Sequence, residues 1–406
     1  MKYIVVVGDG MADYPINELD GRTPLEVAEK PNMDFIAEEG RCGLLRTLKK
    51  GMSLGSDIAN LRILGYDTEK YYTGGRGPLE AASIGISLGR YDIAFRCNLI
   101  TVEDGRIKDH SAGHISSNEG GELIEYINKK FGTDNIKFYP GVSYRNILVL
   151  KGKGFSDKIK CVPPHDIINQ EISKNLVKPT ESEGRKTAEL LNKIILESKN
   201  ILENHNINIK RREKGKLMAN SIWFWGHGRR LEMPSFMERY GIKGAMISAV
   251  DLLRGIGVYL GMDVIDVPNI TGYLDTNYEG KADFAIKALE RNDLVYVHLE
   301  ATDEASHEGS IEKKIKAIED LDKRLLGRII KGISKDMEYT LAVLTDHATP
   351  IKLRTHTHDL VPFAIYNPKN EGDKVKRFTE NETKKGFYGK RDALEFMNLL
   401  LYNKSK

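Results

Sequence analysis

The fold class this sequence predicts is α/β: a mostly parallel sheet covered by helices on both faces, with an inserted smaller α+β domain. Three observations predict it. Apolar runs of strand length alternate with helical periodicity through the C-terminal half. The chain opens on another fully apolar run, YIVVVG. Between them, the middle of the chain breaks this rhythm with shorter strands and long amphipathic stretches.

In order, YIVVVG reads as a strand buried on both faces and joins the same sheet as the later ones. KKGMSLGSDIANLRILGYD gives a Gly-rich turn and then a short helix over residues 57–64. From 79 to 216, strands such as IAFRCNLITV and NILVLKG mix with the helix TAELLNKIILESKNILEN, and the basic run NIKRREKGK closes the section. This stretch is expected to be the inserted domain, with 1–78 and 217–406 forming the core. GAMIS (Gly244–Ser248), MDVIDV (Met262–Val267), LVYVHLEAT (Leu294–Thr302), YTLAVLT (Tyr339–Thr345) and VPFAIY (Val361–Tyr366) are the later strands. The helices AVDLLRGIGVYLG, KADFAIKALE and IEKKIKAIEDLDKRLLGRIIKGI lie between them. The last sets Ile311, Ile315, Ile318, Leu321, Leu325 and Ile329 on one face.

With 406 residues, the chain is long enough for two domains. Its 61 basic and 58 acidic residues leave a net charge of +3, which calls for no nucleic-acid partner. Cys42, Cys97 and Cys161 are widely separated, with neither zinc nor disulfide spacing, so a cytoplasmic location is expected. No segment approaches the ~20 apolar residues of a membrane span.

Ligands of an open parallel sheet bind beyond the carboxyl ends of its strands. YIVVVG is followed by Asp9, LVYVHLEAT by Asp303, and YTLAVLT by Asp346 and His347. A helix cap or turn explains one such aspartate, but it explains three poorly. His307 stands four residues after Asp303, on the same side if the segment is helical. His356 and His358 precede the last of these strands. Asp9, Asp303, His307, Asp346, His347 and one of His356/His358 make six oxygen and nitrogen ligands. That is enough for two divalent cations, Mn²⁺, Zn²⁺, Co²⁺ or Mg²⁺. Paired ions are a recurrent device for displacement at phosphorus. A hydroxyl nucleophile would complete such a centre, and Ser56, after Gly55 and at a helix start, supplies one.

The segments VVVGDGMADYP, GSDIANLRILGYD, YYTGGRGPLEAA, GYLDTNYEGKADFA, VHLEATDEASHEG, LTDHATP and THTHDLVPF resemble, in this order along nearly the whole chain, the archaeal type of cofactor-independent phosphoglycerate mutase, a branch of the alkaline phosphatase superfamily. The resemblance implies an alkaline-phosphatase-like core with a domain inserted after the nucleophile segment. It also implies two divalent cations, manganese foremost, a phosphoserine intermediate, and no need for 2,3-bisphosphoglycerate. It assigns Ser56 as nucleophile, with Asp9, Asp346 and His347 on the cation that also holds the Ser oxygen. Asp303, His307 and His356 go to the second cation, and His358 is a neighbour. Thr302 stands where the family pattern has Pro, outside the ligand set. His114 and Arg145 in the inserted domain, and Arg229 in WFWGHGRR at the second crossover, are expected to hold the substrate, because Arg suits carboxylate and phosphate. The implied partner is a small phosphoglycerate; neither nucleic acid nor membrane is expected, and the chain can form an oligomer. The competing readings are a metal-dependent phosphatase or another phosphomutase of the same superfamily, and a non-catalytic metal-binding scaffold.

Overall fold

The computed structural model describes residues 1–72, 74–334 and 336–402. The chain forms two compact units, one of Met1–Tyr72 with Met233–Lys406 and one of Thr73–Glu232.

The first unit is built on an eight-stranded sheet. In spatial order its strands are Asp263–Val264, Gly244–Ile247, Leu294–Leu299, Lys2–Gly8, Tyr339–Thr345, Val361–Tyr366, Arg41–Arg46 and Gly389–Asp392. Seven run one way, and only Val361–Tyr366 is antiparallel to its neighbours. This reversal matters for the site. It brings the segment before Val361 to the edge where Lys2–Gly8, Leu294–Leu299 and Tyr339–Thr345 end.

The central strands are largely apolar because both faces are covered. Ile4, Val6, Val295, Val297, Leu341 and Val343 pack against Met33, Ile36, Ala282, Ala285, Ile318, Leu325 and Ile329. Of the apolar stripe predicted from Ile311 onward, Ile318, Leu321, Leu325 and Ile329 lie in the core and Ile315 packs against it, whereas Ile311 is half-buried outside it, and the helix widens to a π-type turn over Leu321–Leu326. There the buried Asp322 accepts the backbone N–H groups of Asn32 (3.2 Å) and Met33 (2.7 Å). It caps the helix Pro31–Glu39, whose own N-cap, Lys30, makes no side-chain cap bond. Of the run MDVIDV only Asp263–Val264 pairs, because an edge strand has one neighbour and that neighbour, Gly244–Ile247, is short.

The second unit carries an antiparallel sheet of Arg106–Asp109, Ile93–Glu103, Arg145–Leu150 and Ile136–Val142, with Ser221–Arg229 on the other side of Ile93–Glu103. The helices Ser117–Phe131 and Arg185–Leu202 bury Leu123, Ile124, Ile127, Leu191, Ile194 and Ile195 in its core. This unit is wider than the 79–216 expected. Ser221–Arg229 pairs with Ile93–Glu103, and Ala81 of the helix Gly77–Ser83 packs with Ala94. The basic run over 208–216 ends a helix rather than the unit.

Candidate metal and phosphoryl-transfer centre

All seven residues expected at the metal centre belong to the first unit. Lys2–Gly8 delivers Asp9, Tyr339–Thr345 delivers Asp346 and His347, and the helix Ala301–Glu308 carries Asp303 and His307 one turn apart. Thr302, at the position where Pro was expected, donates its hydroxyl to the Asp9 carbonyl and so ties this helix to the first strand.

Among the described residues, two groups have the composition and spacing to hold a metal ion: Asp303 with His347 and His356, and Asp9 with His298 and Asp346. In the first, His307 Nε2 lies 3.1 Å from Asp303 Oδ2 and 3.1 Å from His356 Nε2, and His356 Nε2 lies 3.4 Å from Asp303 Oδ1. In the second, His298 Nε2 lies 3.4 Å from Asp9 Oδ2 and 3.7 Å from Asp346 Oδ2, and His347 Nε2, of the first group, lies 3.1 Å from Asp9 Oδ1 and 3.6 Å from Asp346 Oδ2. These are the separations expected of ligands that each sit about 2.1 Å from one shared ion.

Hydrogen bonds at the far ring nitrogens turn two of the imidazoles toward the centre. His307 Nδ1 donates to the Arg354 carbonyl at 2.9 Å, which frees Nε2. Thr349 Oγ1 donates to Asp303 Oδ1 (2.6 Å), so it accepts from His347 Nδ1 (3.1 Å), which frees His347 Nε2. Asp9 Oδ1 is buried with no hydrogen-bond partner. A buried anionic oxygen in that state fits a cation ligand. The donor set therefore fits two divalent ions.

Electrostatics agree. Burial, then the Asp346, Asp303 and Glu300 carboxylates, pushes Asp9 well above the usual carboxylate range. Burial also holds His347 neutral, lowered to about 4. Against its own burial, Asp303 is held well below the ordinary value by bonds from His307 and His356. The Asp303 contact in turn raises His307 to about 9.

Ser56 opens the helix Ser56–Ile63, whose N-cap is Gly55. Its hydroxyl is therefore not the capping group of this helix. Ser56 Oγ instead lies 3.0 Å from His347 Nε2. Asn60, one turn on, donates to Asp346 Oδ2 (2.8 Å) and to the Ser56 carbonyl (2.8 Å), fixing nucleophile and ligand together. His358 faces the Met52 carbonyl at 3.3 Å, outside both groups.

Sequence reasoning missed His298, Asn60 and Thr349. His298 sits inside an apolar run, and the other two lie beside singled-out residues without a motif of their own. Only the alternation of Tyr296 and His298 within LVYVHL marked a polar face.

In the second unit His114 is exposed and in left-handed backbone (φ 51°), in a turn where Ala112 also has positive φ (50°). Such strain is tolerated where surroundings or function demand it. His110, His114 and Arg145 surround the Tyr144 ring, at 5.8, 6.1 and 5.9 Å. Arg145 Nε is buried with no partner. Arg229 is engaged elsewhere: it donates to the Tyr91 carbonyl (2.8 Å), Asp157 Oδ1 (3.1 Å) and the Phe155 carbonyl (3.4 Å). That makes Arg229 a clamp within its own unit rather than a free fork.

A family model for 2,3-bisphosphoglycerate-independent phosphoglycerate mutase matches residues 37–208. A protein of that name from Methanosarcina mazei is 52% identical over 403 residues, covering 99% of this chain and 100% of that one. The chain belongs to the 2,3-bisphosphoglycerate-independent phosphoglycerate mutases. Two solved structures share its fold. The PH0037 protein from Pyrococcus horikoshii has a TM-score of 0.84 and 31% identity, covering 100% of this chain and 98% of that one. A cofactor-independent phosphoglycerate mutase from Thermoplasma acidophilum has a TM-score of 0.70 and 30% identity, covering 100% of both chains. The family resemblance read from the sequence and the α/β fold class are both upheld, and family membership carries with it independence from 2,3-bisphosphoglycerate. Among the described residues, no helix is long and apolar enough to cross a membrane.

Proposed function

We propose that this mutase interconverts 3-phosphoglycerate and 2-phosphoglycerate through a phosphoserine at Ser56. Asp9, Ser56, Asp346 and His347 would hold one divalent cation, and Asp303, His307 and His356 the other. The observation that carries the reading is Ser56 Oγ, not used as a cap and 3.0 Å from Nε2 of His347, beside two convergent ligand groups. Two such cations, when bound, neutralise phosphate oxygens and lower the pKa of the attacking hydroxyl. Mn²⁺ is the metal we favour, since a mixed carboxylate and imidazole set suits it.

Ser56 Oγ attacks phosphorus, and the bond from phosphorus to the C3 oxygen breaks. The glycerate, protonated at that oxygen, stays bound and turns. Its C2 hydroxyl then attacks the phosphoserine and gives up its proton, the Ser56 Oγ–P bond breaks, and Ser56 Oγ regains a proton. Asn60 keeps Ser56 and Asp346 in register throughout. His114 and Arg145 of the second unit would hold the glycerate, and retransfer requires that water be kept from the phosphoserine. The unpaired thiols Cys42, Cys97 and Cys161 fit a cytoplasmic enzyme.

Ser56→Ala should abolish turnover, by at least the ~100-fold typical of a lost catalytic group, while metal content and thermal unfolding stay as in the wild type. Wild-type protein quenched during turnover should carry phosphate on Ser56 by mass spectrometry. Mutase activity persisting in the Ala variant would refute the covalent route. Incubation with 3-phosphoglycerate and Mn²⁺ should yield 2-phosphoglycerate; free phosphate as the main product would favour the phosphatase reading.

A further inference from the structure

We propose that His298 is a further ligand of this centre, binding through Nε2 the cation that Asp9 and Asp346 hold. The inference rests on the two-cation reading above. Strand alternation brings His298 to the site. In Leu294–Leu299, Val295, Val297 and Leu299 point into the apolar core, whereas Tyr296 and His298 take the other face. On that face Tyr296 donates its hydroxyl to Asn60 Oδ1 (2.5 Å), the same Asn60 that holds Asp346. His298 pairs in register with Val7, two residues before Asp9.

The ring is fully buried and cannot turn freely. Its Nδ1 lies 3.1 Å from Glu300 Oε1. That carboxylate is itself fixed by Ser248 Oγ (2.8 Å), the Ala249 N–H (3.1 Å) and Lys281 Nζ (2.9 Å). Lys281 also donates to the His298 carbonyl (2.8 Å), so the buried anion of Glu300 is matched by a buried cation. Glu300 thus accepts a hydrogen bond from Nδ1–H and leaves Nε2 facing the centre, which is the way a carboxylate orients a metal-bound imidazole.

Nε2 faces two anionic oxygens, Asp9 Oδ2 at 3.4 Å and Asp346 Oδ2 at 3.7 Å, yet makes no hydrogen bond. A buried imidazole there for packing alone would be expected to close one of these contacts to about 2.9 Å. Separations of 3.4 and 3.7 Å instead suit three ligands around an ion about 2.1 Å from each. Glu300 and Lys281 act through His298 and are positioning residues.

The test uses the full chain loaded with Co²⁺. An imidazole bound to Co²⁺ through Nε2 shows its Nδ1 proton as a hyperfine-shifted, exchangeable resonance. At low temperature, where exchange is slow, wild-type protein should show four, from His298, His307, His347 and His356. Three would overturn the role of His298 and leave the two-cation reading standing, whereas none would sink that reading itself. His298→Gln should remove one resonance and weaken one of the two Co²⁺ equivalents. Glu300→Gln should keep four, move one of them, and weaken that equivalent by roughly 10- to 100-fold. Wild-type affinity for both equivalents in His298→Gln would overturn the proposal. The wild-type spectrum decides the matter even if a variant fails to fold.

Discussion

Asp9 and Asp303 lie in the same centre, yet their neighbours drive them in opposite directions. Asp9 is raised by burial and by three other carboxylates, and Asp303 is lowered by two imidazoles. In the metal-free chain His307, raised to about 9, still carries a proton at pH 7.5. A cation on its Nε2 must displace that proton, so loading releases protons and affinity rises with pH until about 9. Calorimetric Mn²⁺ titrations at pH 7.5 in two buffers of different ionisation enthalpy should show net proton release; none would contradict imidazole ligation. His356 and His358 make a second test at this scale. His356 Nε2 lies within 3.4 Å of Asp303, but His358 turns to the Met52 carbonyl. His356→Ala should lose one metal equivalent and collapse turnover, and His358→Ala should keep both equivalents. The reverse result would mean that the wrong histidine has been assigned.

At the scale of elements, the centre is a set of strand ends drawn together by the sheet, and Gly10 shows how tightly. Its φ of +62° follows directly on the first strand, and a Cβ there would lie 2.5 Å from both Asp303 Oδ1 and Thr349 Oγ1. Gly10→Ala should cost about 1–2 kcal/mol for the left-handed backbone alone, lower Tm, and weaken the cation held by Asp303. Gly272→Ala, with nothing near its Cβ, should do neither. Thermal unfolding and metal content of the two variants check this. The strand ends were legible in the sequence because an aspartate closing an apolar run breaks the pattern. Asp9 and Asp346 stand directly after their strands, whereas the strand expected over Leu294–Thr302 ends at Leu299 and Asp303 lies in the first turn of the helix Ala301–Glu308 that follows it. His298 was not legible in this way, since its role depends on which face of Leu294–Leu299 meets the helix Ser56–Ile63, and that is a tertiary fact. The same holds for the second unit's outer strand. WFWGHGRR was noticed, but its pairing with Ile93–Glu103 and the engagement of Arg229 by Asp157 depend on contacts 72 residues and more apart in the chain.

For the whole molecule, the question is what makes a phosphoserine enzyme a mutase rather than a phosphatase. The first unit alone contains the nucleophile and both ligand groups. A mutase also needs a grip on the dephosphorylated glycerate, whose carboxylate calls for a guanidinium fork. In the second unit Arg145 offers a buried Nε with no partner, beside the Tyr144 ring that His110 and His114 also meet. Removing a hydrogen bond to a charged group costs about 1.5–3 kcal/mol, which is roughly 10- to 100-fold in kcat/KM. Arg145→Ala should lose that much mutase activity. Phosphorylation of Ser56 should persist, because the nucleophile and both ligand groups lie in the other unit. With the glycerate held less firmly, more of it should depart before retransfer, and water should take the phosphate. Phosphorus NMR of the products should therefore show a larger share of free phosphate relative to 2-phosphoglycerate than in the wild type. Arg229→Ala supplies the contrast: it breaks the Asp157 clamp and should lower Tm without changing the product ratio. An unchanged ratio in Arg145→Ala would place the grip on the glycerate elsewhere in the chain.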